Sequence, residues 1–269
     1  MAERTLASEL QILAMGSIAG GTIFLGLPIG RLKKASVSLR SFLNALAIGI
    51  LIFLVWDVLA HGYVPLDTAL GRLHDHEGGL GPVLGYATLF IGGITVGLLS
   101  LVYYENWLRS KNSTNAASSP KQLSLLIASG IGLHNFGEGL AIGASASKGA
   151  IGLATVLVIG FALHNATEGF GIVAPLASES VRPSWNFLFW MGVIGGGPTF
   201  LGTLIGTQFT NDALSTVFLS LAAGSILYVV VQLLGVAQRG GLRVILGWGL
   251  VAGLAAGFIT DMVVTAGGA

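Results

Sequence analysis

The sequence of 269 residues is 53% hydrophobic and only 9% charged, with a formal net charge of +1 and no cysteine. Soluble domains carry roughly 25% charged residues, so this composition excludes an ordinary soluble protein and indicates one embedded in a lipid bilayer. The near-neutral charge gives no sign of nucleic-acid binding, and the lack of cysteine excludes disulfides and thiolate metal sites.

Eight apolar stretches are each long enough to cross the hydrocarbon core of a membrane, which takes about 20 helical residues. Glycines at four-residue spacing, such as Gly139/Gly143 and Gly202/Gly206, favour a closely packed helical bundle. The pattern predicts an all-α, polytopic membrane protein with one transmembrane domain over residues 1–269. Its predicted spans are approximately 10–30, 41–63, 81–104, 122–145, 150–175, 186–208, 213–237 and 243–265.

The distribution of Lys and Arg predicts the orientation of these spans. The N-terminus and the even-numbered connections hold only Arg4, Arg72 and Lys148. The other connections and the adjoining span ends hold Arg31, Lys33, Lys34, Arg40, Arg109, Lys111, Lys121, Arg182, Arg239 and Arg243. Because cytoplasmic loops carry an excess of Lys and Arg, we expect both termini to lie outside, in the plasma or inner membrane.

Two polar residues in the second span, Asp57 and His61, are four apart and so lie one helical turn above each other. Ionisable groups in hydrocarbon usually mark a pathway or a site, so we interpret this pair as part of a cation access path. The alternative is that both are interfacial residues that reach headgroups or loops. The next loop, His74-Asp75-His76-Glu77, is expected outside, where it either collects metal weakly or is simply solvated.

A polar motif occurs in the fourth span and again in the fifth, as His134-Asn135-Phe136-Gly137-Glu138-Gly139 and His164-Asn165-Ala166-Thr167-Glu168-Gly169. The His and Glu of each copy share one helix face. No Lys or Arg lies deep in a span, so a proton or a bound metal ion is the expected counter-charge for the two carboxylates. Two neutral imidazoles and two carboxylates would balance one divalent ion, and the two Asn residues add amide oxygens. A purely structural hydrogen-bonding role is the alternative.

This pattern resembles the ZIP (zinc/iron-permease) family, in particular its prokaryotic members. The fourth helix of that family reads His-Asn-x-Pro-Glu-Gly, and its fifth carries a related His-x-x-x-Glu. The likeness extends downstream to Leu140-Ala141-Ile142-Gly143 and to Pro175-Leu176. The resemblance implies eight helices with both termini outside and a divalent-metal permease. The metal ligands that it implies are His134, Asn135, Glu138, His164, Asn165 and Glu168.

Three features depart from the family pattern. The proline inside the motif is replaced by Gly137 and Thr167, so any kink depends on glycine flexibility. Gly197-Pro198 stands where many prokaryotic members have a Glu-Pro that completes a second, bridging metal position, and Gln232 stands where Glu is common. With fewer carboxylates, we expect a mononuclear site or one with only a weak second metal position.

We therefore expect a transporter, not an enzyme, that imports a divalent transition metal through a midplane site between helices four and five. Zn²⁺ is the first candidate, and Fe²⁺, Mn²⁺, Co²⁺ and Cd²⁺ are compatible because geometry decides among them. We expect no cofactor and no nucleic acid. The expected partners are the lipid bilayer and the metal ion. A second copy in a homodimer is also expected, because the glycine-lined surfaces and the resemblance suggest it. The alternatives are a membrane-embedded metal-dependent hydrolase that uses the same residues, and a cation channel or proton-coupled carrier of an organic solute.

Overall fold

The chain folds into a bundle of long helices, as a computed structural model shows. The structure describes residues 6–32, 36–111, 119–147, 149–178, 182–208, 211–239 and 241–266, and within these ranges it contains no strand. Eight helical segments of this part are long and apolar enough to cross a membrane. The predicted all-α membrane fold with eight spans is therefore confirmed, whereas the side on which the termini lie stays a prediction.

We number the eight long helices α1 to α8. The first is interrupted: a one-turn helix, Ile23–Gly26, and a 3-10 turn, Leu27–Arg31, continue it towards α2. Ser36 and Ser184 cap α2 and α6, because their hydroxyl oxygens accept hydrogen bonds from the backbone of the first turn. The helices are α1 Leu6–Gly21, α2 Val37–His74, α3 Leu80–Lys111, α4 Pro120–Ser147, α5 Ile151–Ser178, α6 Trp185–Gly206, α7 Asp212–Arg239 and α8 Arg243–Ala266.

Two helices, α2 and α3, are longer than predicted. The segment after residue 63 continues α2 as a helix because its apolar residues recur at helical spacing, and Leu66 and Ala69 are buried. The predicted loop at His74–Glu77 is a tight turn, in which the backbone N–H of Glu77 donates to the carbonyl of Arg72 at 2.9 Å. The length of an apolar stretch predicts only the part of a helix that lies in the hydrocarbon core. Both helices continue beyond that core, so they are longer than their predicted spans.

The helices pack in two groups. The first contains α1, α4, α5 and α6, with the closest packing between α4 and α6; the second contains α2, α3, α7 and α8. The groups meet mainly where α4 contacts α7 and where α2 contacts α5. One hydrogen bond between them runs from the Ser225 hydroxyl on α7 to the carbonyl of Gly130 on α4, at 3.0 Å.

The close packing of α4 on α6 depends on glycine. A Cβ atom on Gly202 would lie 2.1 Å from the carbonyl oxygen of Phe136, and one on Gly139 would lie 2.1 Å from that of Thr199. No side chain fits at either place without separating the helices. Small residues that let backbones touch are the usual means of helix association in membranes, where lipid tails remove any hydrophobic drive between helices.

We predict that Gly202→Ala destabilises the protein. Overpacking costs about 1–3 kcal/mol, which corresponds to a Tm lower by about 5 °C. The matched control is Gly197→Ala, because a Cβ there meets only Val193 Cγ1 of the same helix, at 3.9 Å. Thermal unfolding in detergent measures both, and equal Tm values for the two variants would contradict the prediction.

Candidate metal centre

Three buried side chains from the repeated motif converge in the interior. His134 and Glu138 lie one turn apart on α4, with His134 Nε2 at 3.0 Å from Glu138 Oε1. His164 on α5 contacts the same carboxylate oxygen through its Nε2. One ligand atom from each residue lies within 4.8 Å of the other two, and this is the single group of its kind among the described residues. These three side chains can therefore hold one metal ion.

Glu168 lies next to this cluster but outside the group of three whose ligand atoms converge. Its Oε1 is 4.0 Å from His134 Nε2, and its side chain is buried. Glu168 Oε1 and Glu138 Oε2 are buried without a hydrogen-bond partner. Such oxygens are costly in an apolar interior unless a cation or a proton meets them. The three converging side chains and the neighbouring Glu168 carboxylate are of the ligand types that a divalent transition-metal ion accepts.

The two Asn residues of the motif are fully buried beside the cluster. Asn135 Nδ2 donates to Glu168 Oε2 at 3.2 Å and to the carbonyl of Gly195 on α6 at 2.9 Å. Asn165 Nδ2 donates to the carbonyl of Ala19 on α1 at 3.1 Å. The Oδ1 atoms of both have no hydrogen-bond partner. Each Asn thus uses its amide nitrogen to contact a helix outside the α4–α5 pair.

A cavity of about 360 Å³ connects this cluster to one end of the bundle. Its lining includes His134, Glu138 and His164, and also Asp57 and His61. The His61 Nδ1 atom lies 3.4 Å from Asp57 Oδ1 and 2.9 Å from the backbone oxygen of Asp57. The structure therefore brings the two predicted access residues into the same cavity as the repeated motif.

Asp261 on α8 also lines this cavity, beside Thr260. The sequence analysis gave it no role, and it lies near the end of the last predicted span, 243–265. The available signal was an acid in an otherwise apolar helix. Packing of α8 against α2 is what places Asp261 near Asp57, and no spacing within one helix could reveal that.

The half of the bundle on the other side of the cluster is filled with apolar side chains. They come from both helix groups and form one continuous buried core, which includes Leu51, Ile127, Ile131, Ile172, Leu176, Ile226 and Val229. The described cavity does not continue into this half. Among the described residues, this cavity reaches the cluster from the side of Asp57 and His61.

Gly197 lies on a partly exposed side of α6. It lies on the same side of α6 as Trp190 and Leu201, which are 53% and 52% exposed. The α6 residue next to the motif is Gly195, whose Cβ would meet Ile131, Ile172 and Ile23. Gly197 therefore brings no side chain to the cluster, and the mononuclear site expected from the sequence stays a prediction.

Gln232 likewise lies away from the cluster and belongs to a buried group that was not predicted. Its Nε2 donates to Glu105 Oε2 at 2.9 Å, and the Tyr228 hydroxyl donates to the same oxygen at 2.9 Å. Arg109 Nη2 donates to Glu105 Oε1 at 2.5 Å. Glu105 was missed because it follows the predicted third span directly. Its role here is to join α3 to α7.

Comparisons with known proteins agree with these features. Residues 74–235 match the family model described as ZIP Zinc transporter. A relative named zinc transporter ZupT, from Salmonella arizonae, is 33% identical over 198 residues, which cover 71% of this chain and 71% of the relative. A second zinc transporter ZupT, from Salmonella heidelberg, is 30% identical over 227 residues, or 82% of each chain.

We predict that the cluster binds one Zn²⁺ ion and that Glu138→Gln weakens this binding by about 100-fold. Altering a residue that merely orients a ligand already costs about 10–100-fold, and Glu138 contacts both imidazoles. Isothermal titration calorimetry of the detergent-solubilised protein gives affinity and stoichiometry. Asp212→Asn, at an exposed acid that begins α7, is the control. Two bound ions, or unchanged affinity in Glu138→Gln, would contradict the assignment.

Proposed function

The chain belongs to the ZIP zinc transporter family, and from this premise we propose that it imports zinc into the cytoplasm through the α4–α5 metal centre. Divalent metal transport follows from the family, and the chain is a transporter and not an enzyme. The hydrolase alternative is thereby set aside. The observation that carries the finer proposal is the convergence of His134, Glu138 and His164 at the end of a cavity.

The ion enters from the outer side in this proposal. The cavity opens at the bundle end that has few basic residues, whereas ten Lys and Arg residues belong to the connections and span ends at the other end. Cytoplasmic loops carry the excess of Lys and Arg, so the open end is outside and both termini lie there too. Among the described residues that line the cavity there is no Lys or Arg, which favours a cation over an anion.

Asp57, His61 and Asp261 form the first station on this path. All three line the cavity outside the metal centre, and two of them carry carboxylates that attract a hydrated cation. From there the ion exchanges water for His134, Glu138, His164 and Glu168. Zinc suits these ligands because it accepts imidazole nitrogen and carboxylate oxygen in a four-coordinate site. Fe²⁺, Mn²⁺, Co²⁺ and Cd²⁺ stay possible cargoes on ligand type alone.

Release to the cytoplasm requires the apolar half of the bundle to open. The four proposed ligands all lie on α4 and α5, which belong to the first helix group, and the apolar core includes residues of both groups. A movement of the α1, α4, α5 and α6 group against α2, α3, α7 and α8 would carry the bound ion inwards. Such alternating access around a midplane site is common in transporters. A cell-membrane location and a homodimer stay predictions.

We predict that the double variant Glu138→Ala with Glu168→Ala abolishes zinc uptake, because it removes both negative charges that balance the ion. Uptake of radioactive zinc into proteoliposomes of defined orientation measures this. Gly197→Ala, on the exposed face of α6, serves as the control and should transport normally. Uptake that survives the double substitution, or that runs only outwards, would exclude the proposed import route.

We predict that Asp57→Asn with Asp261→Asn raises the KM for zinc by about 10-fold at low salt and leaves the maximal rate nearly unchanged. Carboxylates at a cavity mouth raise the local cation concentration without contributing to the bound state. Asp67→Asn is the matched control, because Asp67 is an exposed acid on α2 outside the cavity lining. An unchanged KM in the double variant would remove the access role.

A further inference from the structure

The Asn that follows each motif His points towards a different helix from the His and Glu beside it. Successive residues on a helix are rotated by about 100°, so His134 and Glu138 face the cavity while Asn135 faces α6. The same rotation directs Asn165 towards α1. The two copies of the motif therefore share a second feature besides the His–Glu pair. In each, the Asn amide nitrogen donates a hydrogen bond to a backbone carbonyl of a neighbouring helix.

The orientation of each amide group follows from its partner. The carbonyl oxygens of Gly195 and Ala19 can only accept hydrogen bonds, so the NH₂ end of the Asn side chain has to face them. Both Asn side chains are fully buried. An unpaired buried donor costs about 1–3 kcal/mol, which holds the NH₂ groups where these carbonyls lie.

Asn135 additionally contacts a proposed metal ligand. Its Nδ2 donates to Glu168 Oε2, while Glu168 Oε1 has no hydrogen-bond partner and lies on the side of His134. One carboxylate oxygen is thereby fixed and the other left for the ion. Groups that orient metal ligands in this way influence metal affinity as a rule.

We propose that Asn135 and Asn165 are positioning residues that tie α4 to α6 and α5 to α1, and so hold the paired His and Glu side chains at the spacing one ion needs. The proposal rests on the transport function above and concerns the same site. It differs from the expectation that both Asn residues are metal ligands, in which the Oδ1 atoms bind the ion. A positioning role requires the amide nitrogen of each Asn, whereas a ligand role requires its amide oxygen.

Substitution of Asn by Asp separates the two roles, since Asp keeps the oxygen and loses the N–H donor. If the residues position the site, Asn135→Asp and Asn165→Asp each lower the zinc affinity by about 10-fold or more. An Asp at 135 would also place a second carboxylate against Glu168. If they act as ligands, the added negative charge maintains or strengthens zinc binding. Calorimetry on the purified full chain decides between these results.

Amide hydrogen exchange on the metal-free protein provides a second measurement that does not depend on zinc. We expect Asn135→Asp to raise exchange in α6 around Gly195, and Asn165→Asp to raise it in α1 around Ala19. Asn44→Asp on α2, at a buried Asn in the other helix group, is the control and should alter neither region. Where an Asp variant does not fold, the corresponding Ala variant is measured in the same way.

The proposal is overturned if the Asp variants bind zinc as tightly as the unmodified chain, or if exchange in α1 and α6 stays unchanged. Failure of the transport function has a different signature. In that case the variant with Glu138→Ala and Glu168→Ala keeps its zinc uptake, whatever the exchange measurements on the Asn variants show.

Discussion

Burial of two carboxylates and two imidazoles inside a membrane protein is the constraint on which the rest of this structure depends. An isolated carboxylate in an apolar interior is so costly that it requires a partner, a proton or a metal ion. Glu138 meets two imidazoles, and Glu168 meets an amide donor. These contacts leave acceptor oxygens without partners. A proton or a divalent cation would satisfy these oxygens, and under the proposed function the cost of their burial favours binding of the transported cation.

The helix packing supports this site at close range. In a bilayer, helices gain little from hiding apolar surface, and their association depends on close contact and on polar bonds between them. The glycines between α4 and α6 provide the close contact. The hydrogen bonds from the two motif Asn residues to neighbouring carbonyls provide the polar bonds. A separate polar group around Glu105 joins α3 to α7, so each helix group contains its own internal connection.

Properties that are local along the chain could be predicted from the sequence, and properties that depend on packing could not. Apolar length indicated eight spans, and the four-residue spacing of His134 and Glu138, repeated in α5, indicated a shared cluster. The side of α6 on which Gly197 lies could not be predicted, because nothing in its own segment shows which face of the helix is buried. The surroundings of Asp261 and Gln232 could not be predicted for the same reason, since their neighbours come from other helices.

The apolar half of the bundle also has an electrical consequence. Because the cavity ends at the metal centre, the protein beyond it acts as an insulator, and a membrane voltage falls mainly across this layer. The voltage acts on each crossing charge with about 2.3 kcal/mol per 100 mV. If the proposed movement carries the site across this layer, two carboxylates neutralised by a divalent ion cross with no net charge, whereas two ionised carboxylates without the ion carry two negative charges back. Membrane potential would then govern the return of the empty protein more than the delivery of the ion.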